Sequence, residues 1–211
     1  MKKTKRPAAR KAAGKKSKPA ARRVRVSAKA KPKRAAKRTA KRTVAAPGAG
    51  HLKRHYITTF AKEYPVTVKL MKAYPADQDD FRPHARSTPA AMLAHTFSLA
   101  NALVAKAITG ELTMPPDFPP APASYSEAVA NYERGAQELL EALEEMPESR
   151  LSETVDFFTG PGQIGPIPVG DLLWLMLLDS VHHRGQLSVY VRMAGGKVPS
   201  IYGPSADEPW M

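Results

Sequence analysis

Most of the side chains able to do chemistry sit together between Asp179 and Tyr190: Asp179, Ser180, His182, His183, Arg184, Gln186 and Tyr190. Asp179 and His183 are four residues apart, so a helix lays a carboxylate and an imidazole on one face, a line that Gln186 and Tyr190 extend. Two ligands at this spacing can hold a single metal ion, and the same two groups can equally form an ion pair. A third ligand has to come from another element. His95 is the candidate, because it belongs to the Met92 and Leu99 region of an apolar stripe expected to face inward. A histidine there can also be a satisfied core residue, so spacing alone leaves both readings open. His182 is rotated by about 100° from His183 on a helix and is expected to be a surface or supporting group. The chain has no cysteine, which excludes disulfides, cysteine-based zinc sites and a thiol nucleophile of its own.

Four helical segments must position these residues. The first is expected from about His55 to Ala73, with Tyr56, Phe60, Tyr64, Val68 and Met71 at helical spacing and a kink or a late start at Pro65. The second is expected from an N-cap at Thr88, with Pro89 at its first position, to Gly110, its stripe being Met92, Leu99, Leu103 and Ile108. A proline-rich crossover, Met114 to Pro122, is too long for a tight turn. The third helix opens on a capping box, Ser124 to Glu127, and points Val129, Tyr132, Ala136, Leu139, Leu143 and Met146 inward. A Gly/Pro-rich loop from Gly160 to Gly170 then leads to a cap at Asp171 and a last helix that ends at Gly195-Gly196. Leu172 to Leu178 is apolar all round, which predicts burial on every side. No segment alternates as a strand does. The expected class is all-α, a four-helix bundle with a long crossover between helices 2 and 3.

Charge divides the chain of 211 residues in two. Residues 1–47 hold 20 of the 33 Lys and Arg and none of the 19 acids, so 48–211 carry 13 bases against 19 acids, a net of −6. The first 47 residues also contain 13 alanines and no aromatic residue, and their repeats, as in Ala36 to Thr43, resemble the tails of linker histones and bacterial histone-like proteins. Such an arm cannot bury enough apolar surface to offset its ordering entropy, so disorder is expected. Its chemistry is non-specific nucleic-acid contact by counterion release, with no ring available to stack on bases. A solubilising tail is the alternative. The longest apolar run, Leu172 to Leu178, falls well short of the roughly 20 residues a bilayer requires, so no membrane span is expected. The expected location is cytoplasmic, with nucleoid association through the arm.

Three blocks carry a resemblance: Phe81-Arg82-Pro83-His84 with Ser87-Thr88-Pro89 and His95; Asp179-Ser180-Val181-His182-His183-Arg184-Gly185-Gln186-Leu187 with Tyr190 and Arg192; and Pro199 to Glu208. They resemble, in order across about residues 56–208, the DinB/YfiT-like family of damage-inducible type, read as metalloenzymes. The resemblance implies a bundle with a crossover between helices 2 and 3. It also implies a metal held by one histidine of the second helix and two ligands four apart on the last, here His95, Asp179 and His183. Many members have histidine where this chain has Asp179. Two imidazoles and one carboxylate suit zinc, nickel, manganese or iron(II) and leave coordination positions open. Family likeness further implies a thiol S-transferase-like enzyme of stress response or detoxification. Its partners would be a small-molecule electrophile and a low-molecular-weight thiol such as bacillithiol, mycothiol or glutathione. The other class is a non-enzymatic metal-binding stress protein tethered to nucleic acid by its arm. The resemblance assigns no catalytic residue, and it is compatible with a homodimer.

Overall fold

The computed structural model describes residues 49–211, and the basic arm lies outside them. Four long helices dominate: α1 (Ala49–Lys72), α2 (Ala90–Thr109), α3 (Tyr125–Glu145) and α4 (Val169–Met193). Both α1 and α2 pack against α3 and α4, and the proline-rich segment around Met114 to Pro122 carries the chain from α2 to α3. Two apolar clusters fill the interior. One gathers Tyr56, Phe60, Val104, Leu143, Leu172 and Leu173; the other gathers Leu70, Met71, Phe97, Tyr132, Leu187 and Val191. Burying each such side chain contributes about 1.5–3 kcal/mol.

Periodicity locates the helices, but several local expectations need correction. Helix α1 starts earlier than expected, at Ala49, and runs on through Pro65 to Lys72 although the proline ring removes one backbone donor. Helix α2 begins at Ala90 with Pro89 in the cap position and no side-chain cap. Thr88 does not cap it; its carbonyl instead accepts from the Tyr190 hydroxyl at 2.8 Å. The capping box of α3 forms with a shift: Ser124 Oγ accepts from the Glu127 N–H at 3.1 Å, while the Glu127 carboxylate takes the N–H of Ala123 at 2.6 Å. By length and composition α2 is apolar enough to cross a membrane, contrary to the reading from apolar runs. Its Leu93, Phe97, Val104 and Ile108 are nonetheless packed inside the bundle.

The expectation of an all-α chain is also corrected. A short 3-10 turn (Glu148–Ser152) leads into an antiparallel hairpin, β1 (Thr154–Gly160) and β2 (Gln163–Pro168). The Pro161-Gly162 turn places Gly162 at φ +69°, a region open to glycine. Two prolines hide β2 in the sequence. Pro166 and Pro168 are two residues apart, so their missing N–H groups lie on the same edge, and a two-stranded sheet leaves that edge free. Phe157, buried from β1, joins the first apolar cluster, with Val155 and Ile167 packed beside it. The hairpin delivers the chain directly into α4, whose first residue follows Pro168 rather than a cap at Asp171.

Candidate functional site

The polar ridge of α4 forms as its spacing predicts. His183 Nε2 lies 3.3 Å from Asp179 Oδ2. On the other side of the ring, His183 Nδ1 meets Gln186 Oε1 at 3.0 Å, and the Gln186 amide nitrogen meets His182 Nε2 at 2.9 Å. Read together, these contacts make His183 donate from Nδ1 and turn the Nε2 lone pair toward Asp179, an assignment from the hydrogen-bond network. With the Gln186 amide turned over, His183 would instead donate from Nε2 to Asp179, so the same contacts fit a hydrogen-bonded pair as well as an oriented ligand. The first arrangement is how a ligand imidazole is oriented in metal sites, by a partner on its far nitrogen. The pair is half-exposed. The N-terminal half of α4 is more open than the sequence suggests: Leu175 is 44% and Leu178 63% exposed, so Leu172 to Leu178 is not buried on every side.

His95 occupies a different place. It is 4% exposed on α2, with Nδ1 lacking any hydrogen-bond partner among the described residues. It lines a cavity of about 550 Å³ between α2, α3 and the crossover, and no residue of α4 lines that cavity. The inner face of α2 differs from the stripe read in the sequence. Leu103 and Ile108 are buried as expected, but Met92 is exposed and Leu99 only partly buried, and the buried face also takes in Ala90, Leu93, Ala94, Phe97, Ala100, Val104 and Ala107. Alanines build much of this face, and a stripe of large residues overlooks them. Among the described residues no three His, Cys, Asp or Glu side chains come together in a group able to hold a metal ion. The structure therefore brings Asp179 and His183 together and does not bring His95 to them.

The rest of the Asp179 to Tyr190 segment is structural. Arg184 is buried, pairs with Glu63 Oε2 at 2.6 Å and donates to Thr67 Oγ1 at 3.2 Å. Its guanidinium also bonds the Tyr202 hydroxyl, which donates to Glu63 Oε2 at 2.7 Å. Burial first, and then this bond to Glu63, raise the Tyr202 phenol above its ordinary range. Thus Arg184 clamps the C-terminal segment to α1. Ser205 extends the clamp by donating to the Val198 carbonyl at 2.6 Å and accepting from the N–H groups of Asp207 and Glu208. Glu63, Thr67, Ser98 and Asn101 carry no motif. Their only sequence signal is polarity inside otherwise apolar helical faces.

Together these features define a crossover-connected helical bundle with an acid–imidazole pair on its last helix and a buried arginine tying down its tail. A model of the DinB superfamily matches residues 59–187, and the chain belongs to that superfamily. It is 34% identical over 90 residues to the uncharacterized protein YrdA of Bacillus subtilis strain 168, a match over 42% of this chain and 51% of YrdA. The chain thus spans about half the length of that curated relative. Its fold is similar to a DinB-like protein of Bacillus cereus ATCC 10987, with a TM-score of 0.60 at 21% identity over 71% of this chain and 97% of the other. It is also similar to the DinB-like protein YjoA of Bacillus subtilis, with a TM-score of 0.56 at 20% identity over 74% and 99%. At these identities the likeness concerns the fold.

Proposed function

We propose that the protein binds a divalent metal ion on α4 and acts as a thiol S-transferase-like enzyme of stress response or detoxification. The observation that carries this reading is the 3.3 Å approach of His183 Nε2 to Asp179 Oδ2, with Gln186 fixing the far side of the ring. Of the three expected donors, Asp179 and His183 lie together, while His95 lines the α2–α3 cavity and no three-donor group forms among the described residues. Zinc, nickel, manganese or iron(II) would accept this oxygen and nitrogen pair. When bound, the metal would lower the pKa of a low-molecular-weight thiol and favour its thiolate. The chain itself supplies orientation: Gln186 holds His183, and the exposed Leu175 and Leu178 offer an apolar approach for a small electrophile.

A metal titration of the full chain tests this. His183→Ala and Asp179→Asn should remove or weaken equimolar binding, Asp179→His should preserve it for zinc and nickel, and His182→Ala should leave it nearly intact. His95→Ala separates a two-donor centre from a three-donor one. If it leaves metal content unchanged, the ion rests on α4 alone; if it empties the site, the imidazole of His95 reaches α4 in the bound state. Unchanged metal content in the His183 and Asp179 variants would reduce the pair to a surface ion pair.

A second reading rests on the charge division: 20 Lys and Arg without an acid in residues 1–47, ahead of a domain of net −6. The protein would then be a non-enzymatic metal-binding stress protein held on nucleic acid by its arm. Full-length protein should bind duplex DNA without sequence preference and lose it steeply with salt. The chain lacking residues 1–47 should not bind, and a truncated chain that still shifts DNA at moderate salt would overturn this reading.

A further inference from the structure

Two histidines stand apart from the polar groups of α4. His51 and His55 lie in the opening turns of α1, and their spacing of four residues lays two imidazoles on one face of the helix. Both residues are exposed, and their ring centroids are 6.1 Å apart with the planes 25° from parallel. The one side-chain hydrogen bond at either residue, among the described residues, runs from the Thr59 hydroxyl to the His55 carbonyl and leaves both imidazoles unengaged. On α4, by contrast, Gln186 engages both His182 and His183.

Packing positions one ring of the pair. His55 leans on Trp174 with centroids 5.4 Å apart, and Trp174 is itself held edge-on against the buried Tyr56. His51 stacks on His55 from the other side, so both rings stay on one face while their nitrogens remain open to solvent. Two cations lie between them in sequence, and α3 offsets both. Lys53 Nζ donates to the carbonyls of Glu144 and Met146 at 2.7 and 2.6 Å, and Arg54 lines a groove with Glu144 and Glu148.

The donor chemistry selects the ligand. Two imidazoles at this spacing are the nitrogen pair that zinc-binding helices use. Nitrogen donors favour copper(II), nickel(II) and zinc(II), whereas magnesium(II) and calcium(II) prefer oxygen. Small rotations about exposed side-chain bonds bring one nitrogen of each ring to a single ion. Residues 1–47 contain no histidine, cysteine or carboxylate, and no third donor joins the pair among the described residues. The remaining coordination positions therefore fall to water. We infer that His51 and His55 form a two-imidazole site for a late first-row divalent metal, copper(II) above nickel(II) and zinc(II). This ion is additional to any held on α4, and it requires none of Asp179, His183 and His95.

Trp174 supplies the readout, because a copper(II) ion held beside His55 quenches a neighbouring indole. Copper(II) is titrated into the full chain and into the His183→Ala chain, above the histidine range near about 6.5. Tryptophan fluorescence and calorimetry follow the titration. Quenching should be saturable in both chains. His51→Ala and His55→Ala should each raise its midpoint by at least about tenfold, because the second imidazole acts as an intramolecular ligand. Trp174→Phe should remove the quenching while calorimetry still records uptake. Magnesium(II) should have no effect, and lowering the pH through the histidine range should release the ion. The inference is overturned if either histidine can be removed without moving the midpoint, or if Trp174→Phe keeps the fluorescence change. Magnesium(II) matching copper(II) overturns it too, and so does a loss of quenching in His183→Ala, which would place the ion on α4.

Discussion

Helices α2 and α4 each set a polar ridge into a largely apolar helix, and they treat it in opposite ways. On α4 every group has an answer: Arg184 meets Glu63, Thr67 and Tyr202, and His183 meets Asp179 and Gln186. On α2, His95 and Asn101 are deeper than Asp179 or His183, and these two and Ser98 each keep a buried atom with no partner among the described residues. The difference follows from where each ridge points. Arg184 faces α1 and the returning C-terminal segment, which bring acceptors to it, whereas the three α2 atoms meet no partner among the described residues. A polar group satisfied by its own chain stabilises the fold. One left without a partner costs it stability.

That contrast predicts stability changes of opposite sign. Arg184→Met removes the cation and leaves the Glu63 carboxylate in a largely buried site, which should cost on the order of 3–5 kcal/mol in urea unfolding. A loss below about 1 kcal/mol would class the Arg184 pair with surface ion pairs and erase the contrast. Asn101→Leu should act the other way. It replaces a buried donor without a partner by an apolar group of similar size, so unfolding should become more costly by about 1 kcal/mol. Destabilisation by that change would mean that Asn101 is satisfied within the fold, and that the α2 ridge does not differ from that of α4.

Much of this was legible in the sequence, in proportion to how local the determining physics is. Tyr56, Phe60, Val68 and Met71 place α1 because their period is local, and Asp179 to Gln186 place the α4 ridge for the same reason. The hairpin is not legible because Pro166 and Pro168 read as breakers until it is known that β2 has a free edge. The inner face of α2 is not legible from large residues because Ala90, Ala94, Ala100 and Ala107 form much of it. Family likeness groups His95 with Asp179 and His183. Helical spacing can put His95 on a shoulder of α2, but only the packing shows that this shoulder meets α3.

The smallest expected effect tests whether the tail that answers Arg184 is itself held by charge. Asp207 accepts from the Val198 N–H at 2.9 Å and pairs with Arg192 at 2.7 Å. Glu208 pairs with Lys69 at 2.8 Å and accepts from the Ser200 N–H at 2.8 Å. The Val198 bond and then Arg192 hold the Asp207 carboxyl below its ordinary value, and Lys69 followed by the Ser200 N–H does the same for Glu208. A carboxyl whose folded pKa lies below its unfolded one contributes stability above the ordinary carboxylate range, near about 4. That contribution is lost as pH falls through the lowered folded values. The double change Asp207→Asn and Glu208→Gln should therefore lower the urea midpoint slightly at neutral pH, less so at high salt because both groups are partly exposed. The gap to the parent should close as the pH drops into that window. A gap that stays constant with pH would mean that these side chains hold the tail by shape and neutral hydrogen bonds, leaving Arg184, with Glu63 and Tyr202, as the charged fastening of the C-terminal segment.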